Sequence, residues 1–289
     1  MLNKEILNRL KNAGIENYLF EAKIIEEHVN KYNPGGIDIY LEDMIKRREN
    51  HEPLQYILGE WEFYGDIYKL NKDCLIPRPE TEFLTEYIIN NAKQNGVILD
   101  LCSGSGCVSI SALKRRKDLT AVLVEISCGA VEISKENAKI NGVSDRIKFY
   151  CFDIIKDYEK VLGTLKSPLL KGGGDAQHRR GFAVDIIVSN PPYLTKSEVK
   201  LIKSEKTELY YEPETALLGG EDGLDFYRFI INNYSRAFQD DTVMVFECGI
   251  NQSRDIVKMF EKIGFSCDMI CDYNKIERVV IGYRAAENK

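Results

Sequence analysis

The chain is expected to fold as an α/β protein, a mostly parallel sheet covered by helices on both faces and preceded by a small helical module. Two patterns carry that expectation. From about residue 79 onward, short apolar runs at 97–101, 121–125, 147–151, 186–189, 243–247 and 279–283 alternate with amphipathic helical stretches. Strands alternating with helices are parallel strands joined by crossovers, with helices on both faces of the sheet. Before residue 50 the apolar spacing is three to four residues throughout, in Leu2, Ile6, Leu7 and Leu10, then Ala22, Ile25 and Val29, then Leu41, Met44 and Ile45, which is the helical period. Between the two patterns, aromatic and β-branched residues around Gly59 and Gly65 read as a short hairpin. The expected division is a helical domain over 1–54, a hairpin linker over 55–76 and the sheet domain over 77–289.

Composition narrows the function classes. Of 289 residues, 44% are hydrophobic and 29% charged, the balance of an ordinary globular protein. A net charge of −6 argues against a chain whose main task is gripping nucleic-acid phosphates. The opening Met1-Leu2-Asn3-Lys4-Glu5 lacks the apolar core of a signal peptide and no run approaches a membrane span, so the chain is read as cytoplasmic. Eight cysteines form no Cys-x-x-Cys pair and only three histidines accompany them. No metal site is expected, and most of the cysteines are expected to be buried and reduced. The stretch 164–182, TLKSPLLKGGGDAQHRRGF, is Gly-rich and basic without periodicity. It falls between a helix and the start of the next strand, at the sheet edge opposite the strand C-termini, and is expected to be a disordered insertion remote from the chemistry.

The chemistry concentrates in two motifs. Asn190-Pro191-Pro192-Tyr193 follows the strand candidate at 186–189 directly. Each proline narrows the backbone angles around it and lacks an N–H, so the segment offers acceptors: backbone carbonyls and the Asn190 side-chain oxygen. Two acceptors and a flat ring suit a planar –NH2 group; the same residues also read as a turn that ends a strand. The second motif, Asp100-Leu101-Cys102-Ser103-Gly104-Ser105-Gly106, joins a strand to a helix beginning near Cys107. Small residues permit a tight turn and aim helix N–H groups at a ligand. Glu125 stands nineteen residues after Gly106, at a strand end where a carboxylate accepts ribose hydroxyls. A nicotinamide dinucleotide would require Gly where Ser109 stands, and Asp100 would repel a pyrophosphate. The cationic amino-acid end of S-adenosylmethionine fits Asp100 better.

With Val97-Ile98-Leu99-Asp100, Glu125, Asp153 and Asn190-Pro191-Pro192-Tyr193, the chain resembles the class I S-adenosylmethionine-dependent methyltransferases that act on planar nitrogens. Pro53-Leu54-Gln55-Tyr56-Ile57-Leu58-Gly59, Leu75-Ile76-Pro77-Arg78-Pro79-Glu80-Thr81-Glu82, Tyr211-Glu212-Pro213 and Gly219-Gly220-Glu221-Asp222-Gly223-Leu224 narrow the resemblance. Together they are similar to the bacterial peptide chain release factor N5-glutamine methyltransferases. Nearly the whole chain is covered, the insertion excepted. The resemblance implies a Rossmann-like, seven-stranded, mostly parallel sheet, S-adenosyl-L-methionine as cofactor, and methylation of the glutamine of the GGQ motif in class I release factors, with the helical module holding that protein partner.

The resemblance also distributes roles. Asp100 and the loop Cys102, Ser103, Gly104, Ser105 and Gly106 would hold the methionine end, Glu125 the ribose, and Asp153 with Ile154 the adenine. The Asn190 side-chain oxygen and the Pro191 carbonyl would accept the two amide hydrogens, with Pro192 and Tyr193 completing the substrate site and Tyr193 packing on the amide plane. Thr81 and Glu82 would close the pocket. An amide nitrogen is a poor nucleophile, so catalysis would rest on positioning. Four departures stand out. Cys102 replaces the usual Gly, Glu214 the usual Arg after Glu-Pro, Cys248 the Ile of Glu-Ile-Gly, and Ile154 an aromatic. Other readings stay open: a glutamine methyltransferase of a large-subunit ribosomal protein, a DNA adenine or RNA base methyltransferase, or a non-catalytic binding protein that kept the fold.

Overall fold

The structure, a computed structural model, describes residues 4–33, 37–165, 184–205, 207–238 and 241–284. Three helices, α1 (Lys4–Asn12), α2 (Tyr18–Tyr32) and α3 (Ile37–Glu49), and the short α4 (Leu54–Leu58) form the N-terminal module. Its core is made of the residues that set the helical period: Ile6, Leu10, Ala22, Ile25, Val29, Met44 and Ile45, joined by Leu54 and Ile57 from α4. Gly59 ends α4 with φ +71°, a left-handed cap that glycine adopts without Cβ strain. The hairpin follows, β1 (Glu60–Phe63) antiparallel to β2 (Asp66–Lys69). Both residues of its turn, Tyr64 and Gly65, have positive φ, the geometry that matches the right-handed twist of two-residue hairpins.

Helices and strands then alternate: α5 (Glu82–Asn91), β3 (Val97–Leu101), α6 (Cys107–Arg115), β4 (Thr120–Glu125), α7 (Cys128–Ile140), β5 (Ile147–Cys151), α8 (Tyr158–Thr164), β6 (Ile186–Ser189), α9 (Lys196–Glu205), α10 (Asp225–Ala237), β7 (Val243–Glu247), α11 (Ser253–Glu261), β8 (Phe265–Cys271) and β9 (Glu277–Arg284). The sheet has seven strands in the order β5-β4-β3-β6-β7-β9-β8. The first five run parallel; β9 is antiparallel to both β7 and β8. All five residues of β3 are buried. Leu99 and Leu101 pack with α10 and α11 on one face, and Ile98 packs with α5, α6 and α7 on the other, as the two-residue period of a strand requires. Strand order reverses between β3 and β6, so a crevice opens at their C-terminal ends, where open α/β sheets bind ligands.

Two observations depart from the sequence reading. The strand β8 was not anticipated, because its burial is broken by Asp268 and Met269, as an edge strand allows. Most of the cysteines were expected to be reduced and six are free, but Cys128 and Cys151 are joined in a disulfide with 5.2 Å between Cα atoms. Pairing of β4 with β5 sets Cys151 opposite Glu125, three residues before Cys128, and so brings the two cysteines together. Of the insertion at 164–182, residues 166–182 lie outside the described residues. Leu165 and Val184 bracket it and are both buried in the core against α8, β3 and β6. Among the described residues no helix is long and apolar enough to cross a membrane.

Candidate active site

A cavity of about 450 Å³ lies at the C-terminal ends of β3, β4, β5 and β6. Asp100, Cys102, Ser103, Gly104, Ser105, Glu125, Asp153, Ile154 and Asn190 all line it. Gly106 does not. It is buried behind the loop with φ +77°, and a Cβ there would meet Ser134 Oγ at 2.2 Å and Ile110 Cδ1 at 2.8 Å, so glycine is dictated by packing. Cys102 has φ +60°, the left-handed region in which a Cβ is penalised, and Gly104 has φ +53°. The loop between them is clamped by Ser103 N–H to Val124 C=O (3.2 Å) and Gly106 N–H to Ser103 C=O (2.8 Å).

Acidic groups ring one end of the cavity. Asp100 is 3% exposed and accepts from the Ser109 hydroxyl at 2.6 Å, so the serine at the third position of the loop pattern holds the carboxyl still. Burial first, and then the charge of Glu125, push Asp100 up to about 7, against the Ser109 bond. Glu125 accepts from Gly104 N–H at Oε2 and Ser127 N–H at Oε1, both at 2.9 Å, and burial raises its pKa. Each oxygen keeps a lone pair for a hydroxyl. Asp153 Oδ1 caps the turn that follows, accepting from Ile155 N–H (2.9 Å) and Lys156 N–H (3.1 Å). Ile154 is buried beneath the turn. Phe152, also on the wall, stacks with Tyr150 and supplies the aromatic surface absent at 154.

Beside the loop, Asn190 leaves β6, whose Ser189 pairs with Leu101 of β3, and donates from Nδ2 to Thr81 Oγ1 at 3.2 Å. A second cavity, of about 420 Å³, lies beyond it and is lined by Pro191, Tyr193, Ile76, Arg78, Leu209 and Glu212. The two cavities share Leu75, Asn190 and Ala216, so Asn190 stands at their junction. Pro192 lines the first cavity, Pro191 and Tyr193 the second. Glu82 lies off both and accepts from Tyr64 N–H at 2.9 Å.

Sequence reasoning missed several residues that hold these groups. Gln252 donates from Nε2 to Tyr193 C=O at 2.9 Å and accepts Gly249 N–H at 3.0 Å, tying the Asn-Pro-Pro-Tyr segment to the end of β7. Asn137, fully buried on α7, donates to Ser105 C=O and to Lys69 C=O and accepts Lys69 N–H, joining the loop to the hairpin. Glu212, 2% exposed, binds Arg78 and Ile76 N–H, which locks the Ile76-Pro77-Arg78 motif onto Tyr211-Glu212-Pro213. Gly219 is required because a Cβ there would meet Pro192 C=O at 2.6 Å. A buried Asn on a helix face is a periodicity defect that could have pointed to Asn137; nothing local marks Gln252.

These groups fit S-adenosylmethionine. A buried carboxyl suits an ammonium, a doubly anchored glutamate suits vicinal hydroxyls, and the apolar wall of Phe152 and Ile154 suits a flat base. Comparison with known proteins agrees with the geometry. The family model described as methyltransferase small domain matches residues 79–166. A release factor glutamine methyltransferase of Aquifex aeolicus is 30% identical over 98% of this chain and 97% of its own length. That of Fusobacterium nucleatum is 32% identical over 99% of this chain and 80% of its own. Among solved structures, the hMettl16 catalytic domain in complex with a MAT2A 3'UTR hairpin shares the fold, with TM-score 0.54 and 14% identity over 85% of this chain and 83% of that one.

Proposed function

The chain belongs to the release factor glutamine methyltransferase family, and on that premise we propose that it transfers a methyl group from S-adenosylmethionine to the side-chain amide nitrogen of a release-factor glutamine, the GGQ glutamine of class I factors. The observation that carries this reading is the position of Asn190 at the junction of two cavities, one lined by the acidic loop and the other by Pro191 and Tyr193. The relatives' names and the matched motifs support the substrate class. The helical module is the proposed seat of the protein partner.

The cofactor supplies an electrophilic methyl group on a sulfonium centre. Asp100 holds the ammonium, Glu125 the ribose, Asp153 and Ile154 the adenine, and the loop Cys102 to Gly106 turns its backbone toward the methionine end. Asn190 accepts one amide hydrogen at Oδ1 and Pro191 accepts the other at its carbonyl. Both acceptors strengthen as positive charge develops on the nitrogen, so they favour the transition state over the bound ground state. Tyr193 packs against the amide plane, and Gln252 fixes the Tyr193 backbone.

The test is methyl transfer from labelled cofactor to intact release factor, to its GGQ→GGE variant, to large-subunit ribosomal protein and to DNA, side by side. Release factor should be labelled and the glutamate variant should not. Asn190→Ala should lower kcat on the order of a hundredfold or more with cofactor affinity nearly unchanged. Labelling of the glutamate variant, or of DNA in preference to release factor, refutes the reading.

A further inference from the structure

One donor of the helical module points out of it in a fixed direction. Arg48 is 3% exposed, and its guanidinium is held inside the module by Glu21, which accepts from Nε at 2.5 Å and Nη2 at 3.1 Å, and by the Glu52 carbonyl, which accepts from Nη1 at 3.2 Å. Nη2 also donates outward, to Glu208 Oε1 at 2.5 Å. Glu208 opens a single turn, Glu208–Tyr211, that follows α9. A lone turn has no stability of its own, so its tethers set its place. Downstream of Glu208 the sheet domain supplies them: Lys203 donates to the Tyr210 and Glu212 carbonyls, and Glu212 binds Arg78 and Ile76 N–H. At Glu208 itself the tether comes from the module.

Glu208 and Leu209 line the second cavity together with Pro191 and Tyr193. We propose that Arg48 and Glu208 are positioning residues through which the helical module holds one wall of that cavity. The inference rests on the reading of the second cavity as the seat of the substrate glutamine, and it gives the module a task besides seating the protein partner. An exposed ion pair ordinarily contributes little, because two flexible side chains must be ordered to make it. Here Glu21 has already ordered the guanidinium, and only the half-exposed Glu208 is left to be fixed. Glu21 also balances the buried charge of Arg48, so the bond to Glu208 is surplus to neutralisation and serves placement. A misplacement of about 1 Å in an aligned reaction lowers its rate on the order of a hundredfold. A wall that drifts therefore costs turnover even with the partner bound.

Glu208→Ala removes the acceptor, Glu208→Gln keeps one, and Arg48→Met combined with Glu21→Leu removes the donor together with its partner, leaving no unpaired buried charge in the module. Each is assayed for kcat and KM on intact release factor, turnover of a short Gly-Gly-Gln peptide, cofactor affinity and thermal midpoint. Glu208→Ala and the module-side pair should each lower kcat on intact factor roughly 3- to 10-fold, the range of one hydrogen bond, with cofactor affinity unchanged. Glu208→Gln should retain wild-type kcat, since its amide oxygen still accepts from Arg48. Peptide turnover should fall by the same factor as kcat, although the peptide carries none of the partner's surface beyond the motif. Unchanged kcat in Glu208→Ala and in the module-side pair, with release factor labelled by the wild type, overturns this inference alone. So does a rise in KM on intact factor with kcat and peptide turnover unchanged, which makes the contact part of the partner's seat. A loss in Glu208→Ala that the module-side pair does not share also overturns it, making Glu208 a direct substrate contact, as do losses that come with weakened cofactor binding and a lower midpoint. Wild-type protein that labels no release factor refutes the substrate assignment, and this inference falls with it. If the module-side pair does not fold, Tyr211→Phe replaces it, since that hydroxyl donates to Asn50 C=O of the module at 2.6 Å and Tyr211 lines neither cavity. If the wild type does not turn over the peptide, kcat on intact factor decides.

Discussion

At the scale of single residues, Asp100 shows how burial prepares a group for its ligand. Its carboxyl is enclosed in the cavity wall, anchored at Oδ2 by Ser109, and pushed up to about 7 by burial and then by the nearby Glu125. Below that pH the free protein carries Asp100 protonated. An ammonium pairs with the ionised form, so binding must release the proton, and affinity falls as pH falls. Between pH 8 and 6 the affinity for S-adenosylmethionine should therefore decrease, with a limiting slope of about tenfold per pH unit. Calorimetry in buffers of different ionisation enthalpy should register the proton released at pH 6. In Asp100→Asn affinity should be weak and lose this pH dependence; a wild-type affinity that stays flat across the range would remove Asp100 from the ammonium site.

Elements place these residues by their ends. Glu125 is the last residue of β4, and Asp153 follows β5 by two residues. Between them the disulfide ties the first residue of α7 to the last residue of β5, next to Ile126 and Phe152 on the cavity wall. The cross-link closes a loop with a sequence separation of 23. A closed loop of that size stabilises by about 3 kcal/mol in the chain-entropy account. Peptide mapping without reductant should recover Cys128 linked to Cys151. Reductant should lower the thermal midpoint of the wild type, Cys128→Ser should melt at the reduced value, and reductant should then add nothing. A wild-type midpoint indifferent to reductant would show that the bond contributes no stability.

Across the whole molecule, the helical module and the sheet meet through polar contacts, one of them centred on a buried arginine. Arg48 is 3% exposed and bridges Glu21 of α2 to Glu208, while the Tyr211 hydroxyl donates to Asn50 C=O at 2.6 Å. The segment that carries Glu208 and Tyr211 continues to Glu214, Thr215 and Ala216 on the cavity wall, so the module rests on a stretch that also shapes the site. Leu165 and Val184 sit at the other edge of the sheet: α8 runs back from the C-terminal end of β5, and Val184 precedes β6. Replacing residues 166–183 with a short Gly-Ser linker should leave methyl transfer to release factor within a few-fold of wild type. Turnover of the folded variant measures this directly, and a large loss would tie the segment to the reaction.

Local rules reach as far as local causes. The alternation of strands and helices, the hairpin near Gly65 and the strand-end placement of Glu125 and Asn190 were legible in the sequence, because each follows from neighbours a few residues away. Edge strand β8 was not, since its burial is broken along the strand and its place depends on pairing with β9. The same limit applies in the site. The contacts of Asn190 with Thr81, of Gln252 with Tyr193 and of Asn137 with Ser105 span 109, 59 and 32 residues, and no period or motif encodes a hydrogen bond across such a distance. By itself the sequence determined which chemical groups the chain carries to the C-terminal edge of its sheet. Only the tertiary structure decided which of their lone pairs are already engaged and where two cavities meet, because those properties belong to atoms brought together from separate elements.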